Sequence, residues 1–88
     1  MDAQKKNLSR RAILLQLQAA YPAAMSDEIL MQGLRLSGAG FDEKQFFADI
    51  EYLAGLGLLE RVSSFISAGF KRSRLTSRGV SFLESEGF

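Results

Sequence analysis

The chain has 88 residues, 47% of them hydrophobic and 24% charged, with a net charge of +1. That mix fits one compact domain with a single core, in which about 60 to 65% of the unfolded surface can be buried. The absence of cysteine and histidine removes disulfides, thiolate and imidazole metal ligands, imidazole bases and any histidine switch near neutral pH, so neither metal nor cofactor is expected.

The longest apolar run falls far short of the ~20 residues a membrane span requires. The N-terminal MDAQKKNLSRR leads into a helix pattern and not an export signal, so the expected location is cytoplasmic. Charge is unevenly placed. Lys5, Lys6, Arg10 and Arg11 outnumber Asp2 near the N-terminus, whereas residues 26–60 set Arg35 and Lys44 against Asp27, Glu28, Asp42, Glu43, Asp49, Glu51 and Glu60. Residues 61–78 then carry Arg61, Lys71, Arg72, Arg74 and Arg78 with no acid. A polyanion would meet the two basic segments first, unless these charges serve only as solvated faces.

In chain order, residues 1–8 read as a basic N-terminal arm. Ile13, Leu14, Leu17 and Tyr21 recur at helical spacing behind Ser9 as a candidate N-cap, and Pro22 disfavours helix at the residue before it. Ser26, followed by Asp27 and Glu28, opens a second helix whose buried stripe is read as Ile29, Leu30, Leu34 and Leu36, ending at Ser37–Gly40. Asp42 and Gln45 have the spacing of a capping box, with Phe41 and Phe46 as its hydrophobic staple. Phe46, Ile50 and Leu53 then define an inward face of a third helix, which Gly55 and Gly57 stop. Leu58–Phe65 and Phe70–Thr76 read as two strands of a hairpin around ISAG. Thr76 caps a last helix stapled by Leu75 and Val80, with Val80, Leu83 and Phe82 as its inward candidates. The expectation is one α+β domain over residues 1–88: a three-helix body, a two-stranded β-hairpin and a C-terminal helix.

Three stretches of this pattern carry a resemblance: the helix pair over Asp27–Leu53, the LAGLGLLER junction from Leu53, and LTSRGVSFLE from Leu75. Together they resemble the winged helix-turn-helix domain of the MarR, PadR and ArsR groups of bacterial transcription regulators, with Leu53, Gly57, Leu58, Leu75, Thr76 and Gly79 at matching positions. RRAIL, LAGLGLLER and LTSRG are also similar to segments of small winged-helix proteins encoded by Mu-like bacteriophages. The resemblance implies a phage or bacterial regulator that contacts double-stranded DNA through helix three and the hairpin wing, as a dimer. Winged helices also serve as protein interaction modules.

With Phe46, Ile50 and Leu53 inward, helix three turns Lys44, Gln45, Ala48, Glu51 and Tyr52 outward and Asp49 to a flank. Lys44, Gln45 and Tyr52 are the candidate DNA contacts there, while Glu51 and Asp49 have the wrong sign for phosphate. On the wing, Arg72 and Arg74 share one strand face, with Lys71 on the other and Arg61 on the partner strand. Together with Arg10, Arg11 and Arg78, these cations could neutralise about 4 to 6 phosphates. Phe65, Ile66 and Phe70 cannot all turn inward in so short a hairpin. They either pack on helix one or form an interface with a protein partner or a second copy. Phe47, at the edge of the core stripe, is expected to pack. The carboxylate pairs Asp42/Glu43 and Glu84/Glu86 do not face one way, and with no nucleophile, base or phosphate loop the chain is not read as an enzyme.

Overall fold

The computed structural model describes residues 3–37, 41–63 and 71–85. In chain order these form α1 (Ala3–Ala20), β1 (Met25–Ser26), α2 (Asp27–Leu36), α3 (Glu43–Gly55), β2 (Leu59–Ser63), β3 (Lys71–Leu75) and α4 (Ser77–Ser85). The α+β winged-helix arrangement expected from the sequence is present, with one addition: the sheet has three antiparallel strands in the order β1-β3-β2. Ser73 on the central strand stands opposite Met25 on one side and Arg61 on the other. β1 is only two residues long and carries no period of its own; it is a strand because β3 supplies its hydrogen-bonding partners. The hairpin tip, with Phe65, Ile66 and Phe70, lies outside the described residues.

Three helix starts follow their capping residues. The Ile29 amide donates to Ser26 Oγ at 3.2 Å, the Gln45 amide to Asp42 Oδ2 at 3.3 Å and the Gly79 amide to Thr76 Oγ1 at 3.0 Å. Each satisfies a donor that the first helical turn would otherwise leave open. The staple at Asp42 also forms, with the Phe41 and Phe46 rings 6.1 Å apart. Ser9 is no cap. α1 already begins at Ala3, because residues 3–8 are mostly good helix formers that extend the helix upstream of its apolar stripe.

The core gathers Ile13, Leu14 and Leu17 from α1, Leu30 and Leu34 from α2, and Phe46, Ile50 and Leu53 from α3. Leu58, Leu59, Leu75 and Leu83 close it. Burying each such side chain is worth about 1.5 to 3 kcal/mol relative to exposure. The α2 stripe is narrower than its sequence implies: Ile29 is 55% and Leu36 83% exposed, while Met31 packs against the core. α2 has more apolar residues than one face can hold, and the α1 contact selects the side of Leu30 and Leu34. Phe82, an inward candidate of α4, is likewise exposed at 39%, whereas Val80 and Leu83 pack.

The junction between α3 and β2 turns at Gly57, whose φ of +76° is a left-handed conformation that favours glycine. The Gly57 amide donates to the Ala54 carbonyl at 3.0 Å and the Leu58 amide to the Leu53 carbonyl at 3.1 Å, closing the helix end. Thr76 holds the corner from the other side: its hydroxyl donates to the Gly57 carbonyl at 2.6 Å and its amide to the Leu58 carbonyl at 3.1 Å. Leu58 and Thr76, read as strand ends, therefore belong to a corner and a cap. Gly79 sits so close beneath this corner that a Cβ would overlap the Leu58 carbonyl oxygen and the Leu75 side chain, while a Cβ on Gly55 would meet open space. Gly79→Ala is expected to lower stability by about 2 to 3 kcal/mol through overpacking. Gly55→Ala should be neutral or stabilising by up to about 1 kcal/mol. Denaturant unfolding of the two variants tests the contrast.

Candidate nucleic-acid interface

α3 offers two different surfaces. The outward one carries Lys44, Ala48, Glu51 and Gly55, all exposed. The flank that faces α1 carries Gln45, Asp49 and Tyr52, spaced so that one stripe of the helix holds all three. Asp49, read from the sequence as a flank residue near solvent, is fully buried. Its carboxylate accepts from Ser9 Oγ at 2.7 Å, Arg10 Nε at 3.1 Å and Gln45 Nε2 at 2.8 Å. A buried carboxylate without such donors would be very unfavourable, so these bonds are the condition for Asp49 to be inside at all. The Arg10 guanidinium carbon also lies 3.8 Å from the centre of the Tyr52 ring, a cation–π contact.

The α3 candidates therefore separate. Lys44 is exposed on the first turn; Gln45 and Tyr52 are drawn together by Asp49 and Arg10. Because the Gln45 side chain is committed to Asp49, only the Asp42 half of the capping box is present. Phe47, expected to pack, is 39% exposed, with its ring edge-on to Phe46 at 5.1 Å.

On the sheet, Ser73 and Leu75 point into the protein, so by strand alternation Arg72 and Arg74 share the opposite face of β3. Arg74 is exposed and ion-paired with Glu60, its cross-strand neighbour on β2, with Nε donating at 2.7 Å. Arg72 stands between Val62 on β2 and Ser26 on β1. Lys71 is exposed. Arg61 is not on the Arg74 face. It turns inward, donating from Nη1 to Asp27 Oδ1 at 2.7 Å and to Ser73 Oγ at 2.6 Å, and from Nη2 to Asp27 Oδ2 at 2.9 Å. The hydrogen bond to Asp27 holds the Arg61 pKa above its ordinary value; burial opposes this, and the charges of Asp27 and Glu51 add to it. Glu43 and Glu51 remain the exposed acids of α3.

An open groove of about 370 Å³ is lined by Glu28, Met31, Gln32 and Arg35 of α2 and by Glu43 at the start of α3. Its mixed charge does not suit phosphate. Among the described residues no helix is long and apolar enough to cross a membrane.

Sequence reasoning missed the roles of Ser9, Arg10, Asp27, Asp49, Arg61 and Ser73. A weak signal existed for Asp49, since Gln45, Asp49 and Tyr52 recur at helical spacing beside the apolar stripe. Nothing local marks the partner of Arg61, which is 34 residues away in sequence.

The chain matches no protein-family model and no curated protein. Among solved structures it is similar to the PcaV transcriptional regulator from Streptomyces coelicolor, crystallised in complex with its natural ligand. The TM-score is 0.63 at 22% sequence identity, over 92% of this chain and 49% of that one. The likeness establishes the winged-helix fold, and the chain spans about half the length of that neighbour.

The buried cluster has a direct consequence for stability. Arg10→Ala leaves the Asp49 carboxylate inside with its charge uncompensated and is expected to cost about 2 to 4 kcal/mol. Lys44→Ala, at an exposed position of α3, should stay within about 0.5 kcal/mol of the parent. Urea unfolding of both variants reads the difference.

Proposed function

We propose that the chain is a winged-helix DNA-binding protein, a phage or bacterial transcription regulator that lays the outward face of α3 in the major groove. Arg72 and Arg74 of the wing then contact flanking phosphates. The observation that carries this reading is the disposition of the acids on α3. Asp49 is buried and compensated by Arg10 and Gln45, which leaves Glu43 and Glu51 as the exposed acids of the helix. The outward surface is then less anionic than the sequence implies, small at Ala48 and Gly55 and cationic at Lys44. A groove-entering helix needs that combination of close approach and tolerable charge.

In this reading Lys44 is the leading contact from α3. Tyr52 and Gln45 contribute from the flank, Tyr52 through the half of its surface that stays exposed. The phosphate contacts of β3 supply affinity and orientation without sequence choice. One small domain makes few base contacts, so a dimer that places two α3 helices on successive half-sites is the form proposed to act. The phage setting draws on the RRAIL, LAGLGLLER and LTSRG segments.

A second reading, a protein interaction module, is favoured by the apolar side chains that α2 leaves in water, Ile29 and Leu36. It predicts self-association or partner capture that Ile29→Ser with Leu36→Ser abolishes, in the absence of any affinity for nucleic acid.

Titration with duplex DNA across salt concentrations tests the first reading. Affinity should fall steeply with salt, and Arg72→Ala with Arg74→Ala should make the log–log slope shallower by about 1 to 2. Absence of binding at low salt would refute the DNA reading.

A further inference from the structure

Arg61 looks from the sequence like a wing cation available to a polyanion. Its position says otherwise. It starts on β2, crosses the central strand at Ser73 and ends in a two-pronged bond with Asp27, the first residue of α2. One side chain thus spans the width of the sheet and joins the wing to the start of the helix-turn-helix. The partners are well enclosed: Ser73 is fully buried, and the Arg61 and Asp27 side chains are 24% and 15% exposed. A forked guanidinium–carboxylate pair fixes direction as well as distance, which a lysine in the same place would not do.

The backbone connection at this point is slight. β1 joins α2 to the sheet through only two paired residues, Met25 with Ser73 and Ser26 with Arg72. The angle between the wing and α2 is therefore set by this side-chain bridge together with a short strand and the packing of Leu30 and Leu34 in the shared core. The charge of Glu51, on α3, adds to that of Asp27 in raising the Arg61 pKa.

We propose that the Arg61–Asp27–Ser73 junction is a positioning element for DNA contact, setting the base of the wing against α2 so that β3 and α3 reach the same duplex together. Arg61 acts through that placement and is not a phosphate ligand. The inference rests on the DNA-binding reading above and adds to it the residues that align its two contact surfaces.

Asp27→Asn gives a test by sign. Removing an acid from a DNA-binding surface should by charge alone tighten binding; loss of the bridge should weaken it, by about five- to tenfold, as mutations that act through a coupling element do. Arg61→Lys keeps the charge and loses the fork, and it should weaken binding to a similar extent with the salt slope of the parent. Tighter binding by Asp27→Asn, or parental affinity in Arg61→Lys, would overturn the proposal. So would a slope shallower by about 0.9 in Arg61→Gln, which would mark Arg61 as a phosphate contact.

Amide hydrogen exchange on the free chain separates this proposal from the functional reading beneath it. Asp27→Asn should speed exchange at Met25, Ser26, Arg72 and Ser73 while Leu17 and Ile50 keep their protection. If the parent binds no DNA, the functional reading fails and with it the positioning role in binding; faster exchange confined to the sheet would still establish the junction as what holds the wing. Unchanged exchange would remove the junction as well.

Discussion

The hydroxyl of Thr76 is the smallest group on which the arrangement depends. It donates to the Gly57 carbonyl and accepts from the Gly79 amide, so one side chain both secures the turn after α3 and starts α4. Both contacts are favoured by glycine at these positions: Gly57 has a left-handed backbone, and Gly79 leaves the space under Leu58 that a Cβ would overlap. Leu53, Leu58, Leu59 and Leu75 then fall into one core because the chain on either side of the corner has a fixed direction. The outward surface of α3 and the face of β3 are defined relative to one another by that core.

Ion pairs organise what the apolar core leaves free. Arg10 with Asp49 joins α1 to α3, Arg61 with Asp27 joins β2 to α2, and Arg74 with Glu60 joins β2 to β3. The first two are part-buried and directional, and the third is exposed and worth less. A chain with a net charge near zero can therefore still present one sign locally. Asp27, Asp49 and Glu60 of its middle segment are matched by arginines from its basic ends. The enclosed pairs also select a single alignment of α1 on α3, since a shift of either helix would leave a carboxylate in the interior without donors.

Much of the fold was legible in the sequence, for reasons that differ from element to element. Ser26, Asp42 and Thr76 act within their own turns, so their capping roles are local and readable. Gly57 was readable because a left-handed residue has few alternatives. β1 was not, because two residues show no alternation and its strand character is conferred by β3. Ile29 and Leu36 were misassigned because hydrophobicity marks what can be buried, whereas the contact with α1 decides what is. The charged residues of the candidate interface were the least readable part: Asp49 and Arg61 look like surface residues in any pattern based on polarity, and only the tertiary structure brings Ser9, Arg10, Asp27 and Ser73 to them. Lys44, Arg72 and Arg74 needed no such partners to be noticed, and the structure leaves Lys44 and Arg74 exposed.

Only Leu56, Gly57 and Leu58 separate the end of α3 from the start of β2, and each has its amide hydrogen-bonded within this corner. Such a joint has no slack. A tilt of α3 is handed to the first strand of the wing as a rotation of the same body, in the way a lever moves its far arm. The two arms therefore turn together, and the distance between the outward surface of α3 and the face of β3 is kept whichever way the body is tilted.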